Sequence, residues 1–256
     1  MKVTILGSGT CVPRLSRSAS AVLVESGPAK ILLDLGPGTL RRMLEYGITI
    51  FDVDAILLTH FHPDHTAELI SFLFASKYPD GNRRGRPLQV AAGEGLKKFF
   101  KGLRGAYGDW IVLPDNLLSL TELDTRTGER FHIQALNVTA RPVRHRPESL
   151  AYRIEDRTGR SMVYSGDTDE SDGLAELARD ADLFICEAAM PDEHKVPGHL
   201  TPSLAGRMAR SARARRLVLT HLYPETDGVD IAAQAAAAYD GPVLVAEDLM
   251  SFILSR

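Results

Sequence analysis

Residues 57–70 read LLTHFHPDHTAELI, and four side chains able to bind a metal, His60, His62, Asp64 and His65, fall within six positions of that stretch. They follow an apolar run and precede a pattern of helical period. Alternate residues of an extended segment share a face, so His60 and His62 can aim their imidazoles the same way. Pro63 then turns the chain, and Asp64 and His65 at the helix start can face a second point nearby. Neutral imidazole nitrogen and carboxylate oxygen are the donors that borderline divalent metals prefer. Such a run holds ligands for two adjacent cations, and two cations can activate one shared water. Isolated histidines usually sit at strand ends without a role, but the spacing H-x-H-x-D-H after an apolar run reads as a metal site.

Two ions need further ligands, and the chain offers them at the ends of other strand-like runs. His145 follows the run 138–143, Asp167 follows 161–165, and His221 follows 217–220. A carboxylate can bind two cations, which makes Asp167 the natural bridge. His199, in GHLTP, stands before a helix beginning near Thr201. His132 lies inside a strand pattern and His194 in a polar loop, and neither is given a role.

The chain has 256 residues, 44% hydrophobic and 25% charged, with a net charge of −3. Those values describe an ordinary globular chain and give no global bias toward nucleic acid or an anionic membrane. Arginines cluster at 83–86, 141–146 and 207–216, as solvated faces or as phosphate-binding patches. No DNA-binding motif is present. Cys11 and Cys186 form neither a zinc motif nor a disulfide framework. No run approaches the length of a membrane span, and MKVTILGSGT reads as a first strand rather than a leader. A cytoplasmic protein without membrane attachment is expected.

Strand-like runs recur at 3–6, 21–25, 31–35, 55–59, 88–91, 131–136, 138–143, 150–155, 161–165, 183–187, 217–220 and 243–246. Helical patterns occupy 39–46, 66–77, 94–103, 174–179, 201–214 and 231–239. The 201 helix opens on a capping threonine followed by Pro202, a good first helical residue. Many strands with fewer helices suggest sheets covered by helices. ILLTHF at 56–61 is echoed by LVLTHL at 217–222, with Asp34 and Asp167 in turns ahead of each. If the echo is structural, two αβ halves pack sheet against sheet with the chemistry at a shared edge. One domain over 1–256 is expected. Gly7-Ser8-Gly9 lacks the third glycine of a dinucleotide fingerprint and reads as a tight turn beside the site.

The set THFHPDH, a later histidine, SGDT and LTH resembles the metallo-β-lactamase superfamily over essentially the whole chain. The resemblance implies a four-layer αββα sandwich of two mixed sheets and a dinuclear site at their edge. It implies that His60, His62 and His145 bind one metal, that Asp64, His65 and His221 bind the other, and that Asp167 bridges. Asp34 in LLDLGPGT matches an aspartate that orients ligands, or else caps a Gly-Pro turn. Zinc is the default metal, with manganese or iron compatible.

Within that superfamily, VRHRPESLAYRIE, GRSMVYSGDT, LARDADLFICEAAM, GHLTPSLAGRMA and LVLTHLYP follow the order found in ribonuclease Z. GSGTCVPRLSRSAS resembles that enzyme's first loop, where Arg17 would be a candidate phosphate contact. Cys186 in CEAAM replaces a histidine of the family's His-Glu-Ala-Thr motif, which leaves His199 to assist the leaving group. The long arm that grips tRNA has no counterpart in the sequence, where residues 78–87, YPDGNRRGRP, form a basic turn-rich loop. The reaction expected is hydrolysis of a phosphodiester, small, cyclic or at an RNA 3′ end, by a hydroxide the two ions share. Asp64 is both ligand and proton acceptor, and His199 is the second catalytic group. True tRNA 3′ processing, an aryl sulfatase or lactonase activity, and a metal-binding partner protein without turnover stay open. By analogy a homodimer is expected.

Overall fold

The computed structural model describes residues 1–78 and 83–255. Six strands and four helices come first: β1 (Lys2–Gly7), β2 (Ala21–Ser26), β3 (Ala29–Leu33), α1 (Thr39–Tyr46), β4 (Ala55–Leu57), α2 (Pro63–Thr66), α3 (Leu69–Lys77), β5 (Leu88–Gly93), α4 (Leu96–Tyr107) and β6 (Leu118–Leu123). Then follow β7 (Glu129–Ile133), β8 (Leu136–Pro142), β9 (Leu150–Glu155), β10 (Ser161–Tyr164), α5 (Asp172–Leu177), β11 (Leu183–Glu187), α6 (Pro202–Ala212), β12 (Leu217–Thr220), α7 (Ile231–Ala236), β13 (Val243–Val245) and β14 (Ser251–Ile253).

Two seven-stranded sheets result, ordered β14-β1-β2-β3-β4-β5-β6 and β13-β12-β11-β10-β9-β8-β7. Each is mixed: one part is antiparallel, and the parallel part runs β3 to β6 in the first and β10 to β13 in the second. Val3, Ile5, Val22, Ile31 and Leu57 of one sheet pack on Val138, Tyr152, Met162, Ile185 and Val218 of the other. The opposite face of the first sheet buries Leu23, Leu32 and Val90 against Met43 of α1 and Phe72 and Leu73 of α3. That of the second buries Val163, Phe184 and Leu219 against Leu174, Ala205, Ala209 and Ala235 of α5, α6 and α7. Strands buried on both faces read as continuous apolar runs, which is why they were legible. The result is the four-layer αββα sandwich.

Strand direction decides where the site forms. β8 and β10 are both antiparallel to β9, and β10, β11 and β12 are parallel. All four therefore end at one edge of the second sheet. The loops after β3 and β4 leave the matching edge of the first. The two edges are tied by Leu150 N–H donating to Thr59 O at 2.9 Å. Tyr152 Oη donates to Leu58 O at 2.8 Å beside it.

Several elements depart from expectation. The run 131–136 is not one strand: the chain turns at Gln134, in the left-handed region at φ 51°, and β8 begins at Leu136. The helix expected over 66–77 is two, α2 and α3. β6 and β14 had no sequence signal, because β6 is mostly half-buried and β14 has three residues. Thr201 and Pro202 do open α6, but the cap hydrogen bond comes from Asp192 Oδ1, which accepts from Ser203 N–H at 3.1 Å. The echo is partial, since β11 and α6 intervene between Asp167 and His221 with no equivalent between Asp34 and His60. Of the basic loop 78–87, residues 79–82 lie outside the described residues. Arg84 is buried and donates to the Ile50, Val53 and Pro87 carbonyls. Arg207, Arg213 and Arg215 pair with Glu170, Asp180 and Asp182 on an exposed surface, which agrees with a solvated face. Among the described residues no helix is long and apolar enough to cross a membrane.

Candidate metal centre

Pro63 opens α2 with His62 at the N-cap, so the chain passes from extended to helical in the middle of the ligand run. Thr66 Oγ1 donates to His62 O at 2.9 Å and holds that corner. Gly36 makes the corner fit: a Cβ there would stand 2.1 Å from Asp64 O, so only glycine lets the loop after β3 lie against α2. Leu35 N–H donates to His65 O at 2.7 Å in the same contact.

Two groups of side chains hold the seven candidate ligands. His60, His62, His145 and Asp167 place one donor atom each within 4.8 Å of one another, and so do Asp64, His65 and His221. Asp167 stands between them. Its Oδ1 lies 3.2 Å from His65 Nε2 and 3.3 Å from His221 Nε2. Its Oδ2 lies 3.6 Å from His60 Nε2 and 3.9 Å from His145 Nε2. One carboxylate thus faces both groups, one oxygen to each.

A cation fits this arrangement. His60 Nε2, His65 Nε2, both nitrogens of His221 and Asp167 Oδ1 are buried without a hydrogen-bond partner. Buried polar atoms are rarely left so, because each costs roughly 1–3 kcal/mol. Four of these, His60 Nε2, His65 Nε2, His221 Nε2 and Asp167 Oδ1, gather around the Asp167 carboxylate, as in a site meant for positive ions, and the donor set suits divalent ones.

A second layer fixes which nitrogen each imidazole presents. Asp34 Oδ2 accepts from His65 Nδ1 at 2.7 Å, from Thr59 Oγ1 at 2.9 Å and from Tyr164 Oη at 2.9 Å. Asp34 Oδ1 accepts from Thr59 N–H at 2.7 Å. Thr59 Oγ1 has its proton committed to Asp34, so it accepts from His60 Nδ1 at 3.0 Å. His145 Nδ1 donates to Gly198 O at 3.0 Å. All three rings therefore engage Nδ1 outward and turn Nε2 to the centre, where His145 Nε2 lies 3.2 Å from His62 Nδ1, the usual way a protein orients metal-binding histidines. Asp34 is an orienting residue, not a turn cap.

The charges agree. Burial, then the neighbouring His65 charge, holds His60 far below the ordinary histidine range. Burial also lowers His145. For Asp167 burial works upward, but the His221 and His65 imidazoles outweigh it and keep the carboxyl well below its usual range. Burial likewise works against a charge on His65, yet Asp167 and Asp34 carry it well above its usual value. The cluster attracts positive charge, as a cation site must.

His199 falls in a third such group, with Asp167 and His221. Its ring stacks on His221 at 5.5 Å and 7°. His199 Nδ1 donates to Glu187 Oε1 at 3.1 Å, and Thr168 N–H donates to the same oxygen at 2.7 Å. Burial is the largest influence on His199 and lowers its pKa, but the bond to Glu187 and the Glu187 and Asp167 charges together raise it to about 9. Burial pushes the Glu187 carboxyl up.

Every residue singled out for the site stands at this edge: His60, His62, Asp64, His65, His145, Asp167, His199 and His221. His132, on β7, and His194 belong to none of the metal-binding groups. Sequence reasoning missed Glu187, Thr59 and Tyr164. Glu187 had a signal in its position at the end of a buried run. By strand alternation Cys186 faces α5 and α6, in the core of the helical layer, and Glu187 is the residue of β11 that reaches the site. Arg17 is held by Ser8 Oγ at 2.6 Å and by the Ala246 carbonyl, a structural role rather than a free phosphate contact. Ser8 O accepts from Leu222 N–H at 3.0 Å, which places the Gly7–Gly9 turn beside His221 as expected.

Residues 29–222 match the family model described as the β-lactamase superfamily domain. The chain belongs to that superfamily, and its fold is the metallo-β-lactamase fold. It is 33% identical to an uncharacterized protein of Mycobacterium leprae over 248 residues, 95% of this chain and 85% of that one. It is 30% identical to ribonuclease Z of Myxococcus xanthus over 303 residues, 97% of this chain and 96% of that one. The crystal structure of the metallo-β-lactamase-fold protein YhfI from Bacillus subtilis superposes with a TM-score of 0.85 at 24% identity, covering 98% of each chain.

Proposed function

We propose that the protein is a dinuclear metal-dependent phosphodiesterase acting on a small or cyclic phosphodiester. The observation that carries this reading is Asp167 set between two ligand groups, one oxygen toward each. His60, His62 and His145 would hold one ion, and Asp64, His65 and His221 the other. Zinc suits so imidazole-rich a set, and manganese or iron accept the same atoms. When bound, two such ions acidify water and offset charge developing on phosphoryl oxygens.

The chain's own residues supply the rest. Asp64 carries a carboxylate oxygen 3.5 Å from His221 Nε2 and can orient and accept the proton of an attacking water. Asp34 and Thr59 keep the imidazoles in one tautomer. His199, protonated at neutral pH through its bond to Glu187, donates a proton to the departing oxygen.

A tRNA 3′-end endonuclease is the second reading, favoured by the identity to ribonuclease Z along nearly the whole chain. That alignment runs over 303 positions, more than the 256 residues here, so the relative carries segments without counterparts in this chain. The alignment with the mycobacterial protein needs only 248. The difference favours the smaller substrate. The test is metal-loaded protein presented with a labelled 3′-extended precursor tRNA and with bis(p-nitrophenyl) phosphate, beside an Asp64→Ala variant. Hydrolysis of the diester with intact RNA, lost in the variant, is expected. Cleavage after the tRNA body would establish the second reading, and no hydrolysis of either would reject both.

A further inference from the structure

On the outer face of the second sheet lies a cavity of about 690 Å³ between β7, β8, β9 and the end of α5. None of its lining residues belongs to a metal-binding group. Its floor follows from register. Val138, Ala140, Tyr152 and Ile154 turn inward to the core between the sheets, so their alternates turn outward. Thr139 on β8 stands opposite Arg130 of β7 on one side and Arg153 of β9 on the other. Two positions back along β8, Asn137 stands between His132 and Glu155. Arg141 continues the same face of β8. Leu177 and Arg179, at the end of α5, form the facing wall.

The charge of this cavity is unbalanced. Four arginines and two glutamates line it, in a chain whose net charge is −3. Arg153 serves the fold. Its Nη1 donates to the Leu177 and Arg179 carbonyls at 3.0 and 2.9 Å, its Nη2 donates to Ser161 Oγ at 2.9 Å, and Glu155 lies 3.4 Å away. That leaves Arg130, Arg141 and Arg179 with Glu176. Arg141 gives one hydrogen bond to the Thr127 carbonyl. The guanidinium groups of Arg130 and Arg179 have no hydrogen-bond or ion-pair partner among the described residues. Asp180, next to Arg179, is already held by Arg213 Nε and Nη2 at 3.0 and 2.9 Å. Like charges gathered in a concavity repel unless an anion joins them, and the planar fork of arginine suits phosphate oxygens.

We propose that this cavity is a second binding site, for a small molecule carrying two phosphate groups. The site goes beyond the phosphodiesterase reading and does not depend on it. Its size is that of small-ligand sites, roughly 300–1,000 Å³. The three remaining arginines are not gathered on one point. Arg130 is on β7, the edge strand, and Arg179 stands at the wall that Arg153 ties to β9. β7 and β9 are two strand spacings apart, roughly 10 Å. That separation suits two phosphates, one held by Arg130 and Arg141 and the other by Arg179. Between them Asn137, Thr139 and His132 can bond hydroxyls of the body that joins the phosphates.

The test titrates metal-loaded protein calorimetrically with fructose 1,6-bisphosphate, which carries a phosphate at each end, and with fructose 6-phosphate, which carries one. The wild type is expected to bind the bisphosphate about tenfold or more tightly, the effect of one charge-assisted hydrogen bond. The double variant Arg130→Gln, Arg179→Gln should erase most of that gap. Neither guanidinium has a partner in the fold, so the variant should stay folded. Asp64→Ala, which disables the metal centre, should keep the gap. A gap that survives in the arginine variant, or that disappears in Asp64→Ala, places the second phosphate elsewhere and overturns the proposal. Equal affinity of the wild type for the two sugar phosphates overturns it as well. A short single-stranded RNA is titrated alongside. RNA bound more tightly than the bisphosphate, and lost in the arginine variant, would make this face a nucleic-acid surface and overturn the small-ligand assignment.

Discussion

Asp34 Oδ2 accepts a hydrogen bond from His65 Nδ1 at 2.7 Å, with both side chains fully buried. That contact decides the tautomer of His65 and leaves Nε2 to face Asp167. Asp34 also adopts φ 60°, a left-handed conformation that asparagine tolerates better than most residues. Asp34→Asn is therefore a test of chemistry rather than of backbone. The amide must turn its NH2 toward either Thr59 N–H or the group of three donors on Oδ2, so at least one donor loses its acceptor. The fold should survive at a cost of about 2–3 kcal/mol. Metal affinity or turnover should fall about 10–100-fold, the usual effect of losing an orienting partner. Metal content after dialysis and kcat on bis(p-nitrophenyl) phosphate decide it. Unchanged values for both would show that His65 needs no such partner.

Asp167 faces both ligand groups, so its loss should be felt by both ions. Asp167→Ala is expected to abolish turnover and to retain less than one metal equivalent after dialysis, whereas His145→Ala or His221→Ala should each cost one. A thermal melt supplies a second readout. A ligand bound at about 100 times its Kd stabilises a fold by about 2.7 kcal/mol, and that metal-dependent rise in Tm should vanish in Asp167→Ala. Two equivalents retained with full activity would sink the bridging assignment.

Most of the candidate ligands are legible because they follow buried strands, and strand ends are visible as apolar runs stopping at a polar residue. His60, His145, Asp167 and His221 all announce themselves in this way. Glu187 ends such a run too, but its neighbour Cys186 drew attention through the family motif, and only strand alternation shows which of the two reaches the site. Tyr164 reads as an ordinary strand residue, since nothing local marks a hydroxyl that meets Asp34 from 130 positions away. β14 was invisible because it pairs with β1 through long-range register, and three residues hold no period. Local patterns carry burial and direction, whereas hydrogen bonds between distant segments do not appear in them.

His199 can be separated from the ligands by its dependence on leaving group. If it donates a proton, His199→Ala should slow an alkyl phosphodiester by about 10²–10⁴-fold. p-Nitrophenolate departs without a proton, so bis(p-nitrophenyl) phosphate should be affected far less. Two metal equivalents should remain in the variant. Glu187→Gln weakens the bond that holds His199 protonated and should lower the alkaline limb of the rate profile on the alkyl substrate. Because Asp167, His199 and His221 also lie close enough to hold an ion together, loss of one equivalent in His199→Ala would make His199 a ligand instead.

Asp156 offers a pH test far from the metal donors. It closes the turn between β9 and β10, where Oδ1 accepts from Thr158 N–H at 2.8 Å, Thr158 Oγ1 at 2.6 Å and Arg160 N–H at 3.1 Å. Burial works to raise its pKa, but the Thr158 hydroxyl and the Thr158 and Arg160 amides prevail and lower it. A carboxyl depressed in the folded state binds its proton more readily when unfolded. Its stabilisation is therefore fully present above the unfolded value near about 3.9 and is lost as pH falls through the lower folded value. Asp156→Asn cannot titrate, so it should be less stable than the wild type at pH 7 by about 1 kcal/mol. The gap should close as pH falls below about 4. Urea midpoints of both proteins at pH 7 and at pH 3 measure it, and a gap that stays constant between them would show that the ionised form of Asp156 contributes nothing to the turn.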